Sequence, residues 1–196
     1  MENSEKSENL RNRLLQILRD KSVERGSFQL RSGRTSDYYV DGKQTTLDAE
    51  GSYLIGRLLF ERIQALEDLP RGVGGVTLGA DPIVTAVSLV SHLEGNPIPA
   101  FIIRKEPKGH GTERWIEGLK NIAPGSQVVV VEDVLTTGGT LLEGVRHARE
   151  AGFEVSRVYT LIDRQEGGRE NIEAAGLVLD ALFTRDELLA EQEPSM

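Results

Sequence analysis

The chain has 196 residues, carries 31 Asp and Glu against 23 Lys and Arg for a formal charge of -8, and contains no cysteine. Its length fits one domain able to bury a sizeable core, and the absence of cysteine excludes disulfide scaffolds, thiolate metal centres and cysteine nucleophiles and suits the cytoplasm. The acidic balance argues against a nucleic-acid partner, whose phosphates need neutralising.

The opening MENSEKSENLRNR is polar, with no apolar stretch behind a basic cluster, so no secretory signal is expected there. Leu10, Leu14, Ile17 and Leu18 predict an amphipathic helix over 8–24 that ends at Gly26. Two short extended pieces, 27–31 and 37–40, flank the Ser32-Gly33 turn signal and make a small ribbon. A second helix is expected over 48–66. From residue 73 the pattern becomes strand then helix. The run 73–78 leads into Asp81-Pro82, an N-cap and first helical position for a helix to about Leu93. That stretch, with Asp81 and Pro82 inside it, cannot be a bilayer helix, and no membrane role is expected. The unbroken apolar runs 99–103 and 127–131 read as strands buried on both faces of a parallel sheet. A helix from Gly139 to Ala151 and a strand from Val155 to Ile162 follow, and Thr184 with Glu187 forms a capping box for a short last helix.

The whole is a doubly wound α/β domain whose mainly parallel sheet is flanked by helices. A small N-terminal hood (1–45) precedes the core (46–170) and a C-terminal segment (171–196). In such sheets ligands bind beyond the carboxyl ends of the strands.

The stretch VVVVEDVLTTGGT, residues 128–140, meets that expectation most directly. The glycines let backbone N–H groups close around an anion, the helix start adds partial positive charge, and Thr136, Thr137 and Thr140 add hydroxyls. Glu132 and Asp133 would repel a phosphate but can accept hydrogen bonds from a ribose diol and stabilise positive charge beside it. A P-loop is absent, and Gly72-x-Gly74 lacks the third glycine of a dinucleotide site, so kinase and dehydrogenase readings fall.

A connection of about 15 residues, RKEPKGHGTERWIEG from Arg104, is long enough for a binding loop. Residues 104–114 hold a net +2 in a chain of -8, and Arg104, Lys105, Lys108 and His110 make it a cationic arm suited to a polyphosphate. Trp115 reads as its anchor; His92 and His147 read as surface or packing residues. In LIDRQEGG, Arg164 either forks onto a planar carboxylate or pairs with Asp163 or Glu166.

These residues resemble a known family. VVVVEDVLTTGGT is similar to the phosphoribosyl pyrophosphate (PRPP) motif of type I phosphoribosyltransferases. RKEPKGHG, DRQEGG and the hood-like FQLRSGRTSDYYVD narrow the resemblance to the orotate phosphoribosyltransferases. The resemblance implies transfer of 5-phosphoribose from PRPP to orotate, with Mg²⁺ carried on PRPP oxygens and water, by a homodimer whose 104–118 loop reaches the neighbouring site. It places catalysis on Lys108, Asp133 and Glu132. PRPP binding falls to Arg104, Lys105, Lys108, His110, Glu132, Asp133, Val134, Leu135, Thr136, Thr137, Gly138, Gly139 and Thr140, and orotate binding to Thr136 and Arg164. The chain departs from the family pattern in Arg31, in the lysine-free turn Gly79-Ala80-Asp81-Pro82, and in Glu132 where Asp is commoner. Another base phosphoribosyltransferase would have no reason for the 104–111 loop or Arg164. A PRPP-sensing regulator would want a basic DNA-binding domain, for which the first 45 residues offer one clear helix.

Overall fold

The computed structural model describes residues 2–29, 35–106 and 115–190. Helix α1 (Glu2–Lys21) turns Leu14, Ile17 and Leu18 into the core. It stops before Gly26 because Val23 already pairs with Val40 in an antiparallel ribbon of β1 (Val23–Gln29) and β2 (Thr35–Val40). Gly26 therefore lies inside a strand. Pairing with a partner distant in sequence outweighs helical periodicity here.

After the four-residue α2 (Lys43–Thr46), helix α3 (Ala49–Gln64) begins where the Asp48 carboxylate accepts the Gly51 N–H at 2.9 Å. Its stripe of Leu54, Ile55, Leu58, Leu59 and Ile63 is buried. The alternating part follows as β3 (Val73–Val76), α4 (Asp81–Leu93), β4 (Ala100–Ile103), a two-residue β5 (Ile116–Glu117), and a 3-10 turn at Leu119–Asn121. Then come β6 (Gln127–Leu135), α5 (Gly139–Glu150), β7 (Glu154–Asp163), α6 (Gly168–Ala174), β8 (Val178–Thr184) and α7 (Arg185–Leu189). The last helix carries the expected capping box, with Thr184 N–H donating to Glu187 Oε2 at 2.8 Å. Among the described residues no helix is long and apolar enough to cross a membrane.

The six-stranded sheet runs β5-β4-β3-β6-β7-β8, all neighbours parallel except the edge strand β5. Val129 and Val131 pack with residues of α1, α3 and α4, while Val128 and Val130 pack with residues of α5 and α6. Both faces are covered, which is why the run shows no alternation, and each such side chain contributes about 1.5–3 kcal/mol of burial. From β3 the chain winds outward through α4 to β4; from β6 it winds the other way through α5 to β7. The carboxyl ends of β3 and β6 therefore bound the topological switch point, where a crevice forms.

The elements from α6 to β8 carry no clear sequence signal. Helix α6 is seven residues long, and the apolar run of β8 is interrupted by Asp180, which pairs with Arg62 of α3.

Candidate active site at the switch point

β6 continues past the apolar run to Leu135, so Glu132 and Asp133 are strand residues whose side chains point to opposite faces. Glu132 is 9% exposed. Burial, with the Asp133 charge adding and Lys105 opposing, pushes its carboxyl up to about 8. Asp133 is half-buried against the turn that joins β3 to α4. A β-carbon at Gly79 would stand 2.3 Å from the carboxylate carbon and both oxygens of Asp133, so only glycine lets that turn approach. Neither carboxylate has a hydrogen-bond or ion-pair partner among the described residues.

The strand passes into α5 through Thr136, Thr137 and Gly138. Gly138 takes a left-handed φ of 83° at the helix start, where no side chain caps the helix. The first N–H groups of α5, from Gly139 and Thr140 onward, thus face outward for an anion. Thr136 is half-buried, and Thr137 and Thr140 are exposed. The Leu135 side chain lies fully buried in the core, and its carbonyl accepts the Arg164 N–H at 2.9 Å. Helix α6 supports the turn from behind: Asn171 Nδ2 donates to Thr137 O at 2.9 Å, and Gly168 lies where a β-carbon would be 2.4 Å from Thr136 O. Sequence reasoning missed both residues, since neither residue type signals a contact made only after the chain has crossed to α6.

Arg164, just past β7, is 7% exposed. Its Nη2 lies 2.8 Å from Glu166 Oε1 and donates to the Tyr38 hydroxyl at 3.4 Å, and its guanidinium sits 5.1 Å from the Tyr38 ring centroid. Asp163 is engaged elsewhere, by Arg169 at 3.3 Å and by the Gln165 N–H at 2.8 Å. Of the two pairings open from sequence, the structure makes that with Glu166, and it leaves Arg164 Nε buried without a partner among the described residues. Tyr38 brings the hood to this strand end, beside a cleft of about 660 Å³ lined by Ser27, Thr35, Asp37, Tyr38, Glu166 and Arg185.

The cationic arm leaves β4 and returns in β5, its neck closed by Arg104 N–H donating to Trp115 O at 2.8 Å. Arg104 Nε donates to Glu106 O at 3.1 Å, so this side chain is engaged at the neck, whereas Lys105 is exposed. Trp115 stacks on the buried His147 ring at 3.9 Å and 16°, which anchors the returning strand to α5. Lys108 and His110 lie outside the described residues, as does Arg31.

A parallel sheet with adjacent carboxylates and an uncapped, glycine-entered helix start at its switch point is the arrangement of a phosphoribosyltransferase. Residues 50–178 match the phosphoribosyl transferase domain. The chain is 49% identical over 182 residues to the orotate phosphoribosyltransferase of Aquifex aeolicus (strain VF5), covering 91% of this chain and 97% of that one. The crystal structure of Mycobacterium tuberculosis H37Rv orotate phosphoribosyltransferase with Fe(III) dicitrate superposes with a TM-score of 0.80 at 42% identity, covering 92% of this chain and 99% of the other. The same enzyme in complex with 5-phospho-alpha-D-ribosyl 1-diphosphate gives a TM-score of 0.76 at 40% identity, covering 91% and 98%. The chain belongs to the orotate phosphoribosyltransferase family.

Proposed function

We propose that this protein transfers 5-phosphoribose from PRPP to orotate, giving orotidine 5'-phosphate and pyrophosphate, in pyrimidine biosynthesis in the cytoplasm. The observation that carries this reading is the pair of carboxylates at the end of β6, without partners among the described residues, next to an uncapped helix start. Glu132 and Asp133 accept hydrogen bonds from the ribose hydroxyls and stabilise the positive charge that develops at C1 as its bond to pyrophosphate breaks. The electron pair of that bond leaves with pyrophosphate, and N1 of the orotate anion attacks C1. Burial pushes the Glu132 carboxyl up to about 8, and the electrostatic stabilisation of the developing charge therefore falls mainly to the Asp133 carboxylate.

The 5'-phosphate takes the N–H groups and hydroxyls of residues 136–140, with the backbone of Val134 and Leu135 aligning them. Arg164 forks onto the orotate carboxylate, and Thr136 meets the base. Arg104, Lys105, Lys108 and His110 neutralise the leaving pyrophosphate, with Lys108 nearest the chemistry. Mg²⁺ would be held on PRPP oxygens and water, with the hard oxygens of the Asp133 carboxylate able to accept from such a water, and it would lower the charge on the leaving group. In this reading residues 1–45 cover the base, 46–170 form the catalytic core, and the protein is a homodimer whose 104–118 arm serves the neighbouring site.

The test is to supply Mg²⁺ and PRPP and to offer orotate, uracil, adenine and hypoxanthine separately. Orotate should disappear one for one with pyrophosphate released; consumption of a purine without orotate would overturn the reading.

A further inference from the structure

Next to the Gly79 turn that meets Asp133, a groove of about 620 Å³ is lined by Lys43, Leu78, Asp81 and Pro82 among others. The corner between β2 and α2 that carries Lys43 packs directly on the end of β6. A β-carbon at Gly42 would stand 3.2 Å from Val134 Cγ2 and 3.5 Å from Asp133 Cβ. Lys43 Nζ lies 2.6 Å from Asp41 Oδ1, with its side chain 41% exposed. The hydrogen bond to Asp41 holds its ammonium above the ordinary lysine range against partial burial, and the charges of Asp41 and Asp133 add to this. Among the described residues lining the groove, Lys43 is the cation; Asp48 is paired with Lys21, and Asp81 Oδ2 accepts from Thr77 Oγ1 at 2.8 Å.

The geometry of PRPP relates these positions. Its 2- and 3-hydroxyls form one edge of the ribose ring, and C4, bearing the phosphorylated arm, and C1, bearing pyrophosphate, lie on either side of that edge. With the diol on the β6 carboxylates and the 5'-phosphate at α5, the pyrophosphate points toward β3 and the 77–80 turn. We propose that Lys43 binds the pyrophosphate of PRPP, exchanging its contact with Asp41 for the substrate anion and supplying the cation that the Gly79-Ala80-Asp81-Pro82 turn lacks. This inference rests on the phosphoribosyltransferase reading above and adds a residue to it. In the free protein the same ammonium lies in the field of Asp133, so the site's negative charge is partly offset until substrate arrives.

The test compares two ligands by titration calorimetry, PRPP with Mg²⁺ and ribose 5-phosphate, which has the same diol and 5'-phosphate but no pyrophosphate. Lys43→Met should weaken PRPP binding about 10- to 100-fold, the range of a charge-assisted hydrogen bond. It should leave ribose 5-phosphate binding and the melting temperature unchanged, and Lys43→Arg should bring PRPP binding back to within a few-fold of the parent. Unchanged PRPP affinity in Lys43→Met would overturn the inference, as would equal losses for both ligands, which would show that the residue acts through Asp133 alone. Failure of the parent protein to bind PRPP at all would instead refute the underlying function.

Discussion

Two neighbouring strand ends carry charge in opposite ways. At the end of β7 every charge is already engaged: Asp163 with Arg169 and Gln165, and Arg164 with Glu166 and Tyr38. At the end of β6, one strand over, Glu132 and Asp133 have no such partners among the described residues, and burial pushes the Glu132 carboxyl up to about 8. Charges satisfied within the protein fix an orientation; charges left without partners cost stability and are available to a ligand. In the proposed function the contrast separates a positioning end, where Glu166 and Tyr38 hold Arg164, from a reacting end, where Glu132 and Asp133 would meet the sugar.

The largest expected effect tests the reacting end. Asp133→Asn should lower turnover about 100- to 1,000-fold, the scale of losing one group that stabilises transition-state charge, while the melting temperature holds or rises. Steady-state kinetics beside thermal denaturation decide it, and a variant that loses activity only by unfolding would move Asp133 into the same class as the β7 charges. Next comes Arg164→Ala, for which the KM for orotate should rise about 10- to 100-fold through loss of charge-assisted hydrogen bonds, with the KM for PRPP little changed. Equal increases for both substrates would remove its role in holding the base.

A smaller effect is expected from Gly79→Ala, whose methyl group meets the Asp133 carboxylate at 2.3 Å. The side chain must swing aside, and kcat should fall about tenfold from misplacement with little loss of stability; parental kcat would show that the close approach of the turn does not matter. The last effect is on stability and not on turnover, and appears as the pH dependence of Glu132→Gln. The Glu132 carboxyl titrates near 8 in the fold against an ordinary 4.5. The native state therefore keeps a proton that the unfolded chain has lost, and stability falls as pH rises through that window. Parent and variant should melt alike at pH 5, and the variant should be the more stable at pH 9. A gap that did not widen with pH would contradict the burial of Glu132.

Much of the site is contiguous in sequence and was legible there. Residues 128–140 contain strand, carboxylates, hydroxyls and glycines in the order the chemistry needs, and the chain cannot rearrange them. The supports were not legible: Gly79, Asn171, Gly168, Tyr38 and Lys43 lie on four other segments, and each matters through a contact that exists only after the sheet has closed. Helix α1 ended early for a similar reason, since the pairing of Val23 with Val40 competes with local periodicity. The neck of the arm follows suit, because β5 is two residues long and becomes a strand only beside β4.

The sequence by itself determined the alternation of strands and helices, the parallel buried sheet, and the glycine turn into α5 after β6, because apolar run length, glycine placement and helix capping act within a few residues. Only the tertiary structure decided which strands are neighbours, and with that the position of the switch point between β3 and β6. It also decided that Arg164 pairs with Glu166, that burial raises the Glu132 carboxyl, and that the corner carrying Lys43 packs against Asp133. Charge and burial act through distances in space, and the packed sheet sets those distances.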